Sequence, residues 1–295
     1  MTNPPDSTSS HTTALKTHST ALPAGGYGAN APAKKISSLD IRRRKGGEKL
    51  VVATCYDYTF ARLLDGRVDA LLVGDSLGMV IQGRKTTLGV TVEDVIYHTR
   101  AVVAGAQSSH VIADMPFLSY QCSREDAVRN AGRLLAEGGA ESVKLEGGTV
   151  VADTIRHLVE CGIPVMAHVG LTPQSVHAFG GFKVQGKTED SARRILEDAV
   201  AVEKAGAYAV VLEGIPSALA TEIQRTLCIP TIGIGAGIDC DGQVLVLQDL
   251  LGLNEDFQPR FVKRYAQMGA GVREATDRFA REVRSGEFPA KEHSF

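Results

Sequence analysis

The chain has 295 residues, 43% of them hydrophobic and 22% charged, with a formal net charge of -2. That length admits one large α/β barrel or two smaller domains, and the near balance of charge gives no electrostatic pull toward nucleic acid or an anionic membrane. Five cysteines (Cys55, Cys122, Cys161, Cys228, Cys240) are far apart and form no CxxC, which weighs against a disulfide framework or a thiolate zinc site and for a reducing, cytoplasmic setting.

In chain order, residues 1–36 come first, rich in Ser, Thr, Ala, Pro and Gly. They bury too little to offset chain entropy and read as a disordered N-terminal extension. Their continuous apolar content is too low for a secretory signal, and with no arginine before Arg42 a transit peptide is the minor reading. No run of 18 apolar residues follows anywhere. The basic run IRRRK (41–45) reads as a solvated helical face, with an oligomer contact as the sharper alternative.

From residue 50 onward, short Val/Ile-rich runs alternate with helical patterns, the signature of βα units around a parallel sheet. Eight strands are expected, at 51–56, 70–75, 110–116, 142–147, 164–170, 209–214, 230–237 and 243–249. Between several of them lie helical stretches opening on Ser, Thr or an acid and closing on Gly. The connection GIDCDG after the seventh strand is too short for a helix. Eight strands in about 240 residues fit a (β/α)8 TIM barrel over 37–295 better than an open doubly wound sheet.

A barrel places chemistry at the carboxyl ends of its strands. Asp75, Asp114, Glu146 and Glu213 fall there, at the ends of strands two, three, four and six. Lys144 and Glu146, two apart on one strand, point to the same face, and His168 holds the matching place on strand five. Any one acid could simply cap a helix or a loop amide. Converging acids with little basic compensation repel one another unless a divalent cation lies between them, and all-oxygen donors suit Mg²⁺, Mn²⁺ or Ca²⁺ rather than zinc.

Two motifs are decoys. GFKVQGKT (181–188) satisfies the G-x-x-x-x-G-K-[ST] pattern, but no strand feeds it directly, and Phe182 and Val184 make it apolar. The stretch HAFGGFKVQGKT (177–188) reads instead as a glycine-hinged loop able to close over the site, or as a long surface connection. GIGAG (233–237) does not complete a dinucleotide fingerprint because residue 238 is Ile238; close packing of backbone at the barrel mouth explains its glycines better. His110 and Cys122 read as structural.

Taken together, GDSLGMVIQG, DMPFLSYQ, VKLEGG, HVGLTPQ, FGGFKVQG, VLEGIP and TIGIGAG, in this order over about residues 38–285, resemble the ketopantoate (3-methyl-2-oxobutanoate) hydroxymethyltransferase family. The resemblance implies a (β/α)8 barrel, Mg²⁺, and transfer of a one-carbon unit from 5,10-methylenetetrahydrofolate to 3-methyl-2-oxobutanoate in pantothenate biosynthesis, through a Mg²⁺-stabilised enolate. It implies Asp75 and Asp114 as metal ligands that also contact the keto acid, and Glu146 as the third metal-associated acid, direct or through water. It further implies Ser76 and Lys144 as keto acid contacts and Glu213 as the catalytic base. His168 is held as a further polar contact to the substrate. A homo-oligomer is implied as well, a decamer of stacked pentameric rings. Two other classes stay open: a magnesium barrel enzyme of the isocitrate lyase or phosphoenolpyruvate mutase kind, which should carry a cysteine on an active-site loop, and a non-catalytic binding barrel, which needs no separate base.

Overall fold

A computed structural model of the chain describes residues 34–255 and 258–295. The expected N-terminal extension therefore lies outside the described residues as far as residue 33. Its last two residues are tied to the barrel: Ile36 donates its N–H to Ser108 O at 2.8 Å, and Lys35 Nζ donates to Ala106 O at 3.1 Å.

Eight parallel strands close into a barrel in sequence order: β1 (Leu50–Thr54), β2 (Ala70–Val73), β3 (His110–Asp114), β4 (Ser142–Glu146), β5 (Val165–Gly170), β6 (Ala209–Glu213), β7 (Thr231–Ile234) and β8 (Gly242–Leu245). β8 pairs with β1 through Leu50↔Gly242, so no edge is left open. β5 ends where its apolar run does, at Gly170, and the other seven strands end one to four residues earlier than their runs suggest. Several runs continue into connections whose residues, such as Cys55, Tyr56, Met115 and Leu247, stay buried although the ladder has stopped.

Helices flank the barrel where the caps predict them. Thr91 and Asp94 exchange side-chain-to-backbone hydrogen bonds ahead of Val92–Gly105. Ser123 accepts from the Asp126 amide ahead of Arg124–Ala136, and Thr188 pairs reciprocally with Ser191 ahead of Glu189–Lys204. No helix separates β7 from β8, as the short GIDCDG connection requires. At the mouth, Gly237 has φ +92, and a Cβ there would stand 2.6 Å from Ser217 Cβ, so backbone proximity does account for a glycine of the GIGAG stretch. A helix that strand-and-helix alternation did not predict, Met268–Ser285, follows the last strand; none of its residues is buried.

Period-two alternation sends each strand's side chains to two different places. Leu71, Val73, Val111, Val143 and Leu212 face outward onto helix residues such as Val95, Val102, Leu134 and Leu158. Val52, Leu72, Ile112, Met166, Val211, Ile232 and Val244 fill the barrel's interior. At the base, His110 donates to or accepts from Ser142 Oγ at 2.9 Å, and Ser142 Oγ meets the Tyr208 hydroxyl at 2.9 Å. His110 thus has the structural surroundings expected of it.

The basic run divides rather than forming one solvated face. Arg42 and Arg43 are exposed, but Ile41 is buried, Arg44 pairs with Asp69, and Lys45 Nζ reaches the buried Asp241 carboxylate at 3.0 Å. Asp241 also accepts from the Gly46 and Thr231 amides. Burying that acid requires those partners, and they draw Lys45 out of solvent.

Candidate active site

The same alternation that builds the interior core lifts polar side chains to its upper rim. Above Ile112 comes Asp114; above Ser142 come Lys144 and Glu146; above Met166 comes His168; above Val211 comes Glu213. Register aligns them across neighbouring strands, with Asp114↔Lys144 and Glu146↔His168 as Cα partners. Asp75 sits two residues past the end of β2, at the head of a turn rather than in the strand. The turn brings its amide to Asp114 Oδ2 at 2.9 Å. It is possible because residue 74 is glycine: a Cβ there would lie 2.7 Å from Ser76 Oγ and 3.4 Å from Asp114 Oδ2.

These groups form one continuous network. Lys144 Nζ lies 2.7 Å from Asp114 Oδ1, with both side chains almost wholly buried, and 3.4 Å from His168 Nδ1. His168 then bridges two acids, with Nδ1 at 3.5 Å from Glu146 Oε1 and Nε2 at 3.3 Å from Glu213 Oε2. Ser76 Oγ is 2.8 Å from the Tyr56 hydroxyl. Glu213 is the most open of the acids, its side chain 18% exposed against 4% for Glu146.

Sequence reasoning missed Gln174, the residue that organises the site. Its Nε2 donates to Asp75 Oδ2 at 2.9 Å and to Met115 O at 3.0 Å. Its backbone amide donates to Glu146 Oε2 at 3.0 Å. Its Oε1 accepts from the buried Tyr120 hydroxyl at 2.7 Å. The available signal was a polar amide just past the end of β5, in HVGLTPQ, at the rim where chemistry belongs.

Burial and mutual repulsion set the charges. Asp75 is pushed well above the usual carboxylate range, first by burial and then by the Asp114 and Glu146 charges. Asp114 is raised by burial against the pull of Lys144. Burial would raise Glu146 too, but His168, Lys144 and the Gln174 amide outweigh it and bring it down. Burial opposes the Lys144 charge, yet the surrounding Asp114, Glu146 and Asp75 hold the ammonium firmly protonated. His168 rises to about 9, its hydrogen bonds to Glu146 and Glu213 overcoming burial and the nearby ammonium.

Among the described residues, no three His, Cys, Asp or Glu side chains already enclose a single metal position. The donor chemistry nonetheless fits a hard divalent cation. The Asp75 amide binds the Asp114 carboxylate, Gln174 ties Asp75 to Glu146, and the Asp114 and Glu146 charges add to burial in raising Asp75. All the donors are oxygens, and so few protein ligands leave coordination places for water and a chelating substrate, as Mg²⁺ prefers.

The rim opens into a cavity of about 1600 Å³ that includes Asp75, Ser76, Asp114, Lys144, Glu146, His168 and Glu213. All seven sequence-predicted site residues thus line one space. Phe182 and Val184 of the 177–188 stretch line it as well, and Gly181 follows the short helix Val176–Phe179 rather than a strand. The nucleotide-binding pattern is therefore a coincidence of spacing. None of the five cysteines lines the cavity.

The family model described as ketopantoate hydroxymethyltransferase matches residues 34–291. The chain belongs to the ketopantoate hydroxymethyltransferase family. A 3-methyl-2-oxobutanoate hydroxymethyltransferase of Geobacter metallireducens is 56% identical over 264 residues, 89% of this chain and 99% of the relative. One from Geobacter sulfurreducens is 58% identical over 259 residues, 87% of this chain and 97% of the relative. In three dimensions the chain is similar to 2,3-dimethylmalate lyase, a member of the PEP mutase/isocitrate lyase superfamily, with a TM-score of 0.56, 19% identity and coverage of 87% of this chain and 88% of the other. It is similar to phosphonopyruvate hydrolase with a TM-score of 0.58, 13% identity and coverage of 89% and 91%. At such identities these two likenesses establish the barrel alone.

Proposed function

We propose that the chain transfers a hydroxymethyl group from 5,10-methylenetetrahydrofolate to 3-methyl-2-oxobutanoate, giving 2-dehydropantoate (ketopantoate), the committed step of pantothenate synthesis. The observation that carries this reading is the division of labour among four carboxylates on one rim. Three are buried and tied together through Gln174 and Lys144, while Glu213 stands apart toward the open cavity, joined to them only through His168. A reaction that begins by removing a proton from carbon needs such a base, separate from the groups that hold the substrate's oxygens.

Asp75 and Asp114 hold Mg²⁺ in this reading, with Glu146 beside them. When bound, the cation would supply Lewis-acid polarisation of the substrate ketone. Lys144 offsets the remaining negative charge and orients the keto acid by its carboxylate, with Ser76 as a second contact. Glu213 accepts the proton from C3, and His168, with Nε2 at 3.3 Å from Glu213 Oε2, pairs with it and holds the carboxylate's direction. Water taken up by the donor breaks both C–N bonds of its methylene bridge and returns hydrogens to N5 and N10; the electron pair left on C3 then bonds to the one-carbon aldehyde so formed, whose oxygen takes the C3 proton from Glu213 and becomes the hydroxyl. Overall, one water supplies the hydroxyl of the product, and the donor leaves as tetrahydrofolate.

The supporting surroundings are consistent with a biosynthetic enzyme acting on small molecules. No helix among the described residues is long and apolar enough to cross a membrane. A cytoplasmic homo-oligomer, a decamer of two stacked rings, completes the proposal. The test is to assay purified protein with 3-methyl-2-oxobutanoate, methylenetetrahydrofolate and Mg²⁺, following ketopantoate with and without a chelator. Product that depends on both the folate and the metal is expected; no product under any folate condition, from protein that is folded, overturns the assignment.

A further inference from the structure

A small keto acid at the rim needs only a fraction of a cavity of about 1600 Å³. The remainder lies outward of the acids and has its own chemistry. Phe182 and Val184 border it from the β5–β6 connection, and Ile238 and Phe261 from the chain around and after β7 and β8. These four apolar side chains are 44% to 83% exposed although they face a common space. Phe261 is seated over Gly235, where an added Cβ would come within 3.2 Å of the ring.

Polar groups in the same space are left unemployed by the chemistry at the rim. Gln248 Oε1 is buried with no hydrogen-bond partner, a costly state that a ligand donor would relieve. Its neighbour Asp249 is partly buried, with a single amide, Asn254 Nδ2, donating to its Oδ1 at 3.2 Å. Burial raises its carboxyl above the ordinary value. Arg84, which also donates to Gly89 O, and Arg260 line the same cavity and make no ion pair among the described residues. An acid and an amide, apolar walls and two guanidinium groups around one space together set the demands on a ligand. It must bring an edge rich in N–H donors, a flat apolar middle and an anionic tail.

We infer that this outer chamber seats the folate donor, with Asp249 and Gln248 reading the pterin edge. The inference rests on the proposed reaction and adds the residues that select its one-carbon donor. A reduced pterin presents its 2-amino group and N3–H side by side, and a carboxylate accepts both at once. Gln248 completes the edge with its unpartnered oxygen. The aminobenzoyl ring lies between Phe182 and Phe261, and the glutamate carboxylates reach Arg84 and Arg260. The pterin end then sits nearest the barrel axis, where its methylene carbon meets the keto acid.

The test separates donor recognition from the chemistry of the keto acid. Asp249→Asn and, independently, Gln248→Leu are compared with the natural chain in three measurements: KM for methylenetetrahydrofolate, tetrahydrofolate affinity by calorimetry, and folate-free deuterium exchange at C3 of the keto acid by NMR. Both variants are expected to raise the folate KM and weaken tetrahydrofolate binding at least about tenfold, with exchange held within about twofold. Unchanged folate KM in the folded variants overturns the assignment, as does an equal loss of exchange, which would make these residues supports of the whole site. If the natural chain exchanges C3 hydrogen but makes no product with methylenetetrahydrofolate, the proposed reaction itself fails. If it makes product and the variants match it, only the donor seat fails.

Discussion

The Asp75 amide donates to the Asp114 carboxylate at 2.9 Å, so the backbone of one acid fixes the side chain of the other. That bond uses Asp114 Oδ2 and leaves Oδ1 to Lys144, 2.7 Å away. Removing the Asp114 carboxylate therefore removes a proposed metal donor and takes from the buried Lys144 ammonium its nearest carboxylate. Asp114→Ala is expected to weaken Mg²⁺-dependent keto acid binding at least about tenfold, measured by calorimetry with and without the metal. Full retention of affinity would rule out a ligand role.

Glu213 makes a different prediction, because it touches His168 and the cavity but none of the three buried acids. Glu213→Gln preserves shape and removes the base. Deuterium exchange at C3 of the keto acid should fall by about 10²-fold or more, while keto acid and Mg²⁺ affinity remain within a few-fold. Exchange at the natural rate would assign the base elsewhere.

Much of this arrangement was legible in the chain because barrel strands obey a period of two and end in a common plane. Asp114, Lys144, Glu146, His168 and Glu213 could each be placed on the inward face by counting from an apolar neighbour. Strand ends were less legible. Buried turns are as apolar as buried strands, so nothing in GDS shows that the ladder stops at Val73 and that Asp75 enters the site from a turn. Gln174 was invisible for a related reason: its amide and carbonyl act across the barrel, 99 residues from Asp75 and 28 from Glu146 in sequence. No local periodicity encodes such a bond. The helix Met268–Ser285 escaped because it lies beyond the last strand, where the alternation used to read the chain has ended.

Gln174 has consequences that can be measured apart from turnover. Gln174→Ala deletes the side-chain donor to Asp75 and Met115 O and one acceptor of Tyr120; the Tyr120 hydroxyl keeps the Glu146 carbonyl and amide, so the buried Asp75 carboxylate and Met115 carbonyl are the groups left short of a partner. Each unsatisfied group costs about 1–3 kcal/mol, and loose ligand carboxylates typically lose about 10–100-fold in metal affinity. The expected result is a lowered Tm together with weaker Mg²⁺ binding. Tyr120→Phe, which spares the Asp75 contact, should lower Tm while changing metal affinity less. Equal effects of the two variants on metal affinity would show that Gln174 contributes only to packing.

The charges of the metal-free site also fix the sign of its pH dependence. His168 is raised from 6.5 to about 9, so between those values the folded chain holds a proton that the unfolded chain has released. Its contribution to stability is complete below pH 6.5 and is lost as pH rises through about 9. Asp75 acts in the same direction: its carboxyl is raised by burial and by Asp114 and Glu146, so the folded state again binds the extra proton, and ionising it as pH rises costs stability. The Tm of chelator-treated protein should therefore fall between pH 6.5 and 9, and His168→Gln should flatten that slope. A divalent cation favours the ionised form of Asp75, so Mg²⁺ should raise Tm more at the alkaline end of the range than at the acid end. Calorimetry in buffers of differing ionisation heat should find protons released as the metal binds. A Tm independent of pH in the metal-free chain, or metal binding without proton release, would mean that the carboxylates at this rim are already fully ionised and do not need the cation to be so.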